Sequence, residues 1–240
     1  MLELKNVSFS IPEERTILRD VTLTVKDGIS LVVTGPNGGG KTTLAKIIAG
    51  IEKPTSGRIF FDGEDITEMG VTDRARLGIG YAFQQPVRFK GMAVRDLMAL
   101  ASGREVQERE MCEWLSMVGL CALDYIGRDV DASLSGGEIK RIEIAMVLAR
   151  GTRFSIFDEP EAGIDLWSFN SLIEVFKRLK GKRENSIVII SHQERILETA
   201  DEIAVIADGR VTAFGPRDEL LPGLMNGEDN CVLCPVLREA

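Results

Sequence analysis

A glycine-rich octet, Gly35-Pro36-Asn37-Gly38-Gly39-Gly40-Lys41-Thr42, constrains this chain more than any other feature. It lies between a short β-branched run, Ile29 to Thr34 (ISLVVT), and a stretch of helical composition, Lys41 to Ala49. Glycines at this density let successive backbone N–H groups point inward at one anion without Cβ clashes, and the helix that follows turns its positive end toward the same anion. In such a loop Lys41 reaches the β- and γ-phosphates of a nucleotide and Thr42 offers its hydroxyl to Mg²⁺, with Thr43 beside them at the helix start. Strand, phosphate loop and helix in this order form a unit of an α/β fold with a parallel sheet.

Further buried strands are expected at Arg153 to Asp158 (RFSIFD) and Ser186 to Ser191 (SIVIIS). Between them Leu166, Phe169, Leu172, Ile173, Phe176 and Leu179 fall on one face of a helix over Leu166 to Lys180. Such alternation implies a parallel sheet covered on both faces. Ahead of it, Val21, Leu23 and Val25 share one phase of a period-two pattern, so an antiparallel β subdomain opens the chain. Ala93 to Leu123 reads as helical with no strand run, which predicts a helical subdomain inserted over about residues 86–134. Asp208-Gly209 between IAVIA and VTAF signals a hairpin, and residues 222–240 lose periodicity and read as a tail. A length of 240 with 44% hydrophobic residues supports one domain over 1–240 with this insertion.

Asp158-Glu159 ends an apolar strand, where parallel sheets place ligand-facing groups. Asp158 is suited to hold Mg²⁺ through water, and Glu159 to orient or deprotonate an attacking water. Leu134-Ser135-Gly136-Gly137-Glu138 precedes a helical stretch, Ile139 to Arg150, and Ser135 with Glu138 has capping-box spacing. A cap does not require the double glycine, which exposes N–H groups at a helix N-terminus as a second phosphate-binding surface.

LSGGE, in order with the phosphate loop and Asp158-Glu159, resembles the signature motif of ABC ATPases. The resemblance covers nearly the whole chain and implies a P-loop NTPase core that hydrolyses ATP with Mg²⁺. It also implies that Gln84 (in YAFQQP) is the Q-loop residue contacting Mg²⁺, that Asp165 (in AGID) belongs to the D-loop, and that His192, the chain's single histidine, is the switch that senses the γ-phosphate. Glu159, His192 and Lys41 are then the catalytic set. Ser135, Gly136, Gly137 and Glu138 of one copy complete the nucleotide site of another, so two chains close transiently head to tail on ATP. The aromatic that stacks on adenine in many such ATPases has Ile11 at the matching place, with Phe9 as a neighbour.

Within the family, AFQQPV followed by GMAV, SGGEIKRIEIAM, and SHQERILETADEIAVIADGRV are similar to SufC-type ATPases of iron–sulfur cluster assembly. That similarity implies a soluble scaffold partner of the SufB/SufD type; the alternative is the nucleotide-binding subunit of a membrane transporter. A DNA-organising ATPase would insert coiled-coil heptads between Gln84 and Ser135, an interval too short here, and the net charge of −8 repels nucleic acid. No run approaches the roughly 18 apolar residues of a membrane span, and MLELKNVSFS lacks a basic segment followed by an apolar one, so the expectation is a cytoplasmic chain without membrane insertion. Four cysteines make no disulfide framework, and the Cys231/Cys234 pair supplies at most two ligands to a metal or cluster.

Overall fold

A computed structural model describes residues 1–12, 15–131, 133–180 and 185–226, with the side chains of Leu166, Trp167 and Asn226 excepted. In chain order the elements are β1 (Leu2–Ile11), β2 (Arg15–Val25), β3 (Ser30–Thr34), α1 (Lys41–Ala49), β4 (Ser56–Phe61), β5 (Glu64–Asp65), α2 (Val71–Arg76) and β6 (Ile79–Ala82). A helical stretch follows with α3 (Val94–Ser102), α4 (Glu108–Met117), α5 (Ala122–Tyr125) and α6 (Gly136–Arg150). The chain then runs through β7 (Phe154–Asp158), α7 (Leu166–Lys180), β8 (Ser186–Ile190), α8 (Glu194–Leu197), β9 (Glu202–Ala207), β10 (Arg210–Pro216) and α9 (Arg217–Asn226).

The larger sheet has the order β10-β9-β3-β8-β7-β6. Its inner strands pair in parallel, and β10 joins the edge antiparallel to β9 through the turn at Asp208-Gly209. Period two sorts its side chains onto two faces. Val32, Phe157, Ile187 and Ile189 face a core shared with α3, α4, α6 and α7. Leu31, Val33, Ile156, Val188 and Ile190 face a second core shared with α1 and the antiparallel sheet β2-β1-β4-β5. Both cores therefore grip the same strands, which fixes the carboxyl ends of β3, β7 and β8 along one edge.

Two details tie α1 to this frame. Arg74 is fully buried, yet no carboxylate among the described residues bonds it; its guanidinium donates to the carbonyls of Ile47 (2.6 Å), Ile48 (2.9 Å), Met69 (3.0 Å) and Thr67 (3.0 Å). It thus satisfies carbonyls left over at the end of α1, where a cation also suits the helix dipole, although burial brings its guanidinium down to about 10. At the other end, Gly209 accepts from Arg19 N–H (2.8 Å) and donates to the Gly39 carbonyl (3.1 Å), so one turn residue clasps β2 and the phosphate loop together.

Of the tail expected over residues 222–240, residues 222–226 instead continue α9 through Pro222 to Asn226, and residues 227–240 lie outside the described residues. Leu220, Leu221 and Leu224 pack against the main core, and their burial offsets the hydrogen bond that proline removes. Cys231 and Cys234 lie outside the described residues; Cys112 and Cys121 are free thiols. Among the described residues no helix is long and apolar enough to cross a membrane.

Candidate functional site

The edge where β3, β7 and β8 end opens into a cleft of about 390 Å³. Asn37, Gly38, Gly40, Lys41, Thr42, Thr43, Gln84, Glu159 and His192 line it, bringing together residues from four separate parts of the sequence. Gln84, and not its neighbour Gln85, reaches the cleft.

α1 begins at Lys41 with no side-chain cap and no acidic residue in its first turn, so no carboxylate of the helix itself competes for its leading N–H groups. Gly38 has φ +78° and a Cβ there would enter open space, whereas a Cβ on Gly40 (φ +104°) would strike Leu18 Cδ2 at 2.6 Å. The loop is thus a cradle whose backbone can approach an anion closely. Lys41 Nζ folds over it to donate to the carbonyls of Gly35 (2.7 Å) and Pro36 (2.9 Å). Burial lowers the Lys41 ammonium pKa, and Glu159 and Asp158 oppose that shift.

Asp158 is completely buried at the end of β7. Its Oδ1 accepts from Thr42 Oγ1 at 3.1 Å and its Oδ2 from the Tyr81 hydroxyl at 2.8 Å. Burial pushes its carboxyl up, while these two bonds draw it back down. A neutral hydroxyl beside one carboxylate oxygen is the sparse, hard donor set that suits Mg²⁺, an ion that keeps several of its waters. Glu159, the next residue, adopts φ +43°, a left-handed conformation that costs a non-glycine residue on the order of 1 kcal/mol and recurs at functional sites. Its Oε2 accepts from Gln84 Nε2 at 2.6 Å. Ser191, just before His192, donates to Glu161 Oε1 (2.5 Å) and accepts from Gln193 N–H (3.0 Å), which pins the histidine's loop to the segment following β7.

The signature segment does not join this cleft. Ser135 Oγ accepts from Glu138 N–H (3.2 Å) and Glu138 Oε2 from Ser135 N–H (2.7 Å), so the capping box is present at the start of α6. Hydrogen bonds from Ser135 and Tyr125, with Arg128 nearby, hold the Glu138 carboxyl down to about 2. The two glycines differ. A Cβ on Gly136 meets nothing, but one on Gly137 would lie 2.6 Å from the Gly163 carbonyl. Gly137→Ala is therefore expected to lower stability by about 1–3 kcal/mol in urea titrations, while Gly136→Ala leaves the urea midpoint in place. Equal midpoints for the two variants would refute the packing argument. Asp165 also stands apart from the cleft; its Oδ1 accepts from Ser168 N–H at 3.0 Å in the first turn of α7.

Other contributions were not anticipated. The remaining cleft wall is Arg15 and Ile17 on β2, not Ile11 or Phe9. Ile11 pairs with Arg15 across the β1–β2 hairpin, so the wall lies just past the turn rather than before it. Among the described residues lining the cleft there is no Phe, Tyr or Trp. Lys140 on α6 is fully buried and donates to the carbonyls of Phe83, Gln84 (3.4 Å) and Asp158 (3.3 Å), with Glu143 Oε2 at 3.7 Å. Glu143 Oε1 in turn accepts from Phe83 N–H at 2.8 Å. A lysine and a glutamate three apart on a helix normally read as a solvated pair, which is why sequence reasoning passed them over.

The ABC transporter family profile matches residues 18–162, most of the segment from β2 to the end of β7 and just beyond. This chain belongs to the ABC transporter family. It is an ATPase of that family. An uncharacterized ABC transporter ATP-binding protein of Methanocaldococcus jannaschii is 41% identical over 86% of this chain and 85% of its own length. A probable ATP-dependent transporter of Antithamnion sp. is 34% identical over 91% of this chain and 92% of its own length. Among solved structures, a dimeric ATP-binding cassette in a post-hydrolysis state with ADP and phosphate superposes with a TM-score of 0.81 at 23% identity, over 90% of this chain and 99% of that one. The ABC ATPase fold accounts for both sheets.

Proposed function

We propose that this ABC ATPase binds Mg²⁺ and ATP in the cleft beside the phosphate loop and that two copies close head to tail over two nucleotides. The observation carrying the reading is the convergence of Lys41, Thr42, Gln84, Glu159 and His192 on one cleft, with Asp158 held against Thr42. Lys41 and the α1 amides bind the phosphates, and Thr42 with Asp158 would hold Mg²⁺, which neutralises phosphate charge when bound. Glu159 takes the proton from the attacking water, and Gln84 holds its carboxylate in place. Ser135 and the signature amides, remote from their own chain's cleft, serve the cleft of the other copy. ATP then favours the closed pair by a contact that exists only in it, and hydrolysis removes that contact.

The finer reading is that the driven partner is a soluble iron–sulfur scaffold subunit of the SufB/SufD type, with the cluster as its cargo. The string similarities given above and a cleft wall built from Ile17 and Arg15, with no Phe, Tyr or Trp among the described residues lining the cleft, support this choice. An apolar groove of about 340 Å³ runs beside Gln84, where Ile51, Val71, Phe83, Val87 and Leu100 are all exposed, and it is offered as the scaffold's seat. The names of the relatives favour a transporter partner instead. Affinity purification from the native host separates the two: a scaffold without membrane spans is expected, and a multi-span membrane protein overturns the assignment. Calorimetry with Mg·ATP tests the nucleotide reading by itself.

A further inference from the structure

Tyr81 faces two ways. Its ring belongs to the wall of the apolar groove and meets Phe83 edge to face, with centroids 4.9 Å apart at 83°. Its hydroxyl reaches through to the buried side and donates to Asp158 Oδ2 at 2.8 Å. Buried phenols need a partner, and this one takes the carboxylate rather than a backbone carbonyl. Asp158 is fully buried, so its orientation is set by protein donors. Each of its oxygens has one: Thr42 from α1 on Oδ1 and Tyr81 from β6 on Oδ2. Two donors on two separate elements fix both the rotation of the carboxylate and the oxygen it presents next to Thr42.

We propose that Tyr81 is a positioning residue for the metal-holding carboxylate: by occupying Oδ2 it aims Oδ1 at the point where Thr42 and Asp158 together would take Mg²⁺. The inference rests on the nucleotide reading above. A donor behind a metal ligand typically contributes 10–100-fold to metal affinity, and Tyr81→Phe removes the hydroxyl while leaving the ring and its contact with Phe83.

The test titrates Mn²⁺ into ATP-loaded wild type and Tyr81→Phe and reads free Mn²⁺ by electron paramagnetic resonance. The Mg²⁺ dependence of phosphate release and ATP binding in EDTA are measured alongside. The expected result is Mn²⁺ affinity weaker by about tenfold, ATP affinity in EDTA within twofold of wild type, and turnover restored by raising Mg²⁺. A general packing defect would not be repaired by metal. Mn²⁺ affinity within twofold of wild type overturns the proposal, as does a loss of turnover that excess Mg²⁺ leaves in place. If Tyr81→Phe does not fold, Tyr81→Met, which also lacks a donor, replaces it under the same criteria. A wild-type protein that binds ATP neither in EDTA nor with Mn²⁺ fails the nucleotide reading itself, and this inference with it.

Discussion

Glu159→Gln should bind ATP with undiminished affinity, turn over about 10²–10⁴-fold more slowly, and accumulate as a closed pair of chains. The amide keeps the size of the carboxylate and can still bond Gln84, whose own amide supplies both donor and acceptor atoms. What it loses is the capacity to accept a proton from water. Because Lys41, Thr42 and Asp158 are untouched, binding persists while the step that reopens the pair is blocked. Phosphate release gives the rate, and light scattering with and without ATP gives the state of association. Turnover at the wild-type rate would remove Glu159 from the role of base.

Lys140→Met should cost about 3–5 kcal/mol of stability, because it strands a buried charge rather than an exposed one. Lys140 has no exposed surface, and three carbonyls and Glu143 depend on its ammonium. Burial lowers the Lys140 pKa and raises that of Glu143, and each partner's charge opposes the shift of the other. With the ammonium gone, the Glu143 carboxyl rises further. A carboxyl whose folded-state pKa lies above its unfolded value holds a proton more tightly when folded, so acid stabilises the variant. The deficit measured by urea unfolding should be largest near pH 8 and narrow toward pH 5. Lys140→Met combined with Glu143→Gln should recover much of the loss, since the glutamine oxygen still accepts from Phe83 N–H. A deficit that does not vary with pH would show that lost packing, not a stranded charge, is responsible.

How far these features could be read in advance follows from where the energy lies. Lys41–Ala49 and Leu166–Lys180 emerged with the expected bounds because one-sided apolar periodicity and glycine punctuation are local signals. The same holds for the hairpin at Asp208-Gly209 and the cap at Ser135. The cleft wall was missed by a few residues because the position of the turn after Ile11 depends on strand pairing, which the local pattern does not encode. Arg74, Lys140 and Glu143 were invisible for a different reason. Charged side chains read as surface, and only tertiary packing turns them inward onto carbonyls and onto each other. Pro222 shows the reverse case, a local breaker overruled by leucines that found a core.

The clasp at Gly209 extends the nucleotide cradle well beyond its motif. Gly209 has φ +76°, and a Cβ there would lie 2.3 Å from the carbonyl of Ile17, a residue of the cleft wall. The same residue bonds Gly39 in the phosphate loop. Any side chain introduced at this distant hairpin would wedge apart the two halves of the cleft at once. In a mutational survey, position 209 should therefore sort with the glycines of the phosphate loop rather than with surface turns.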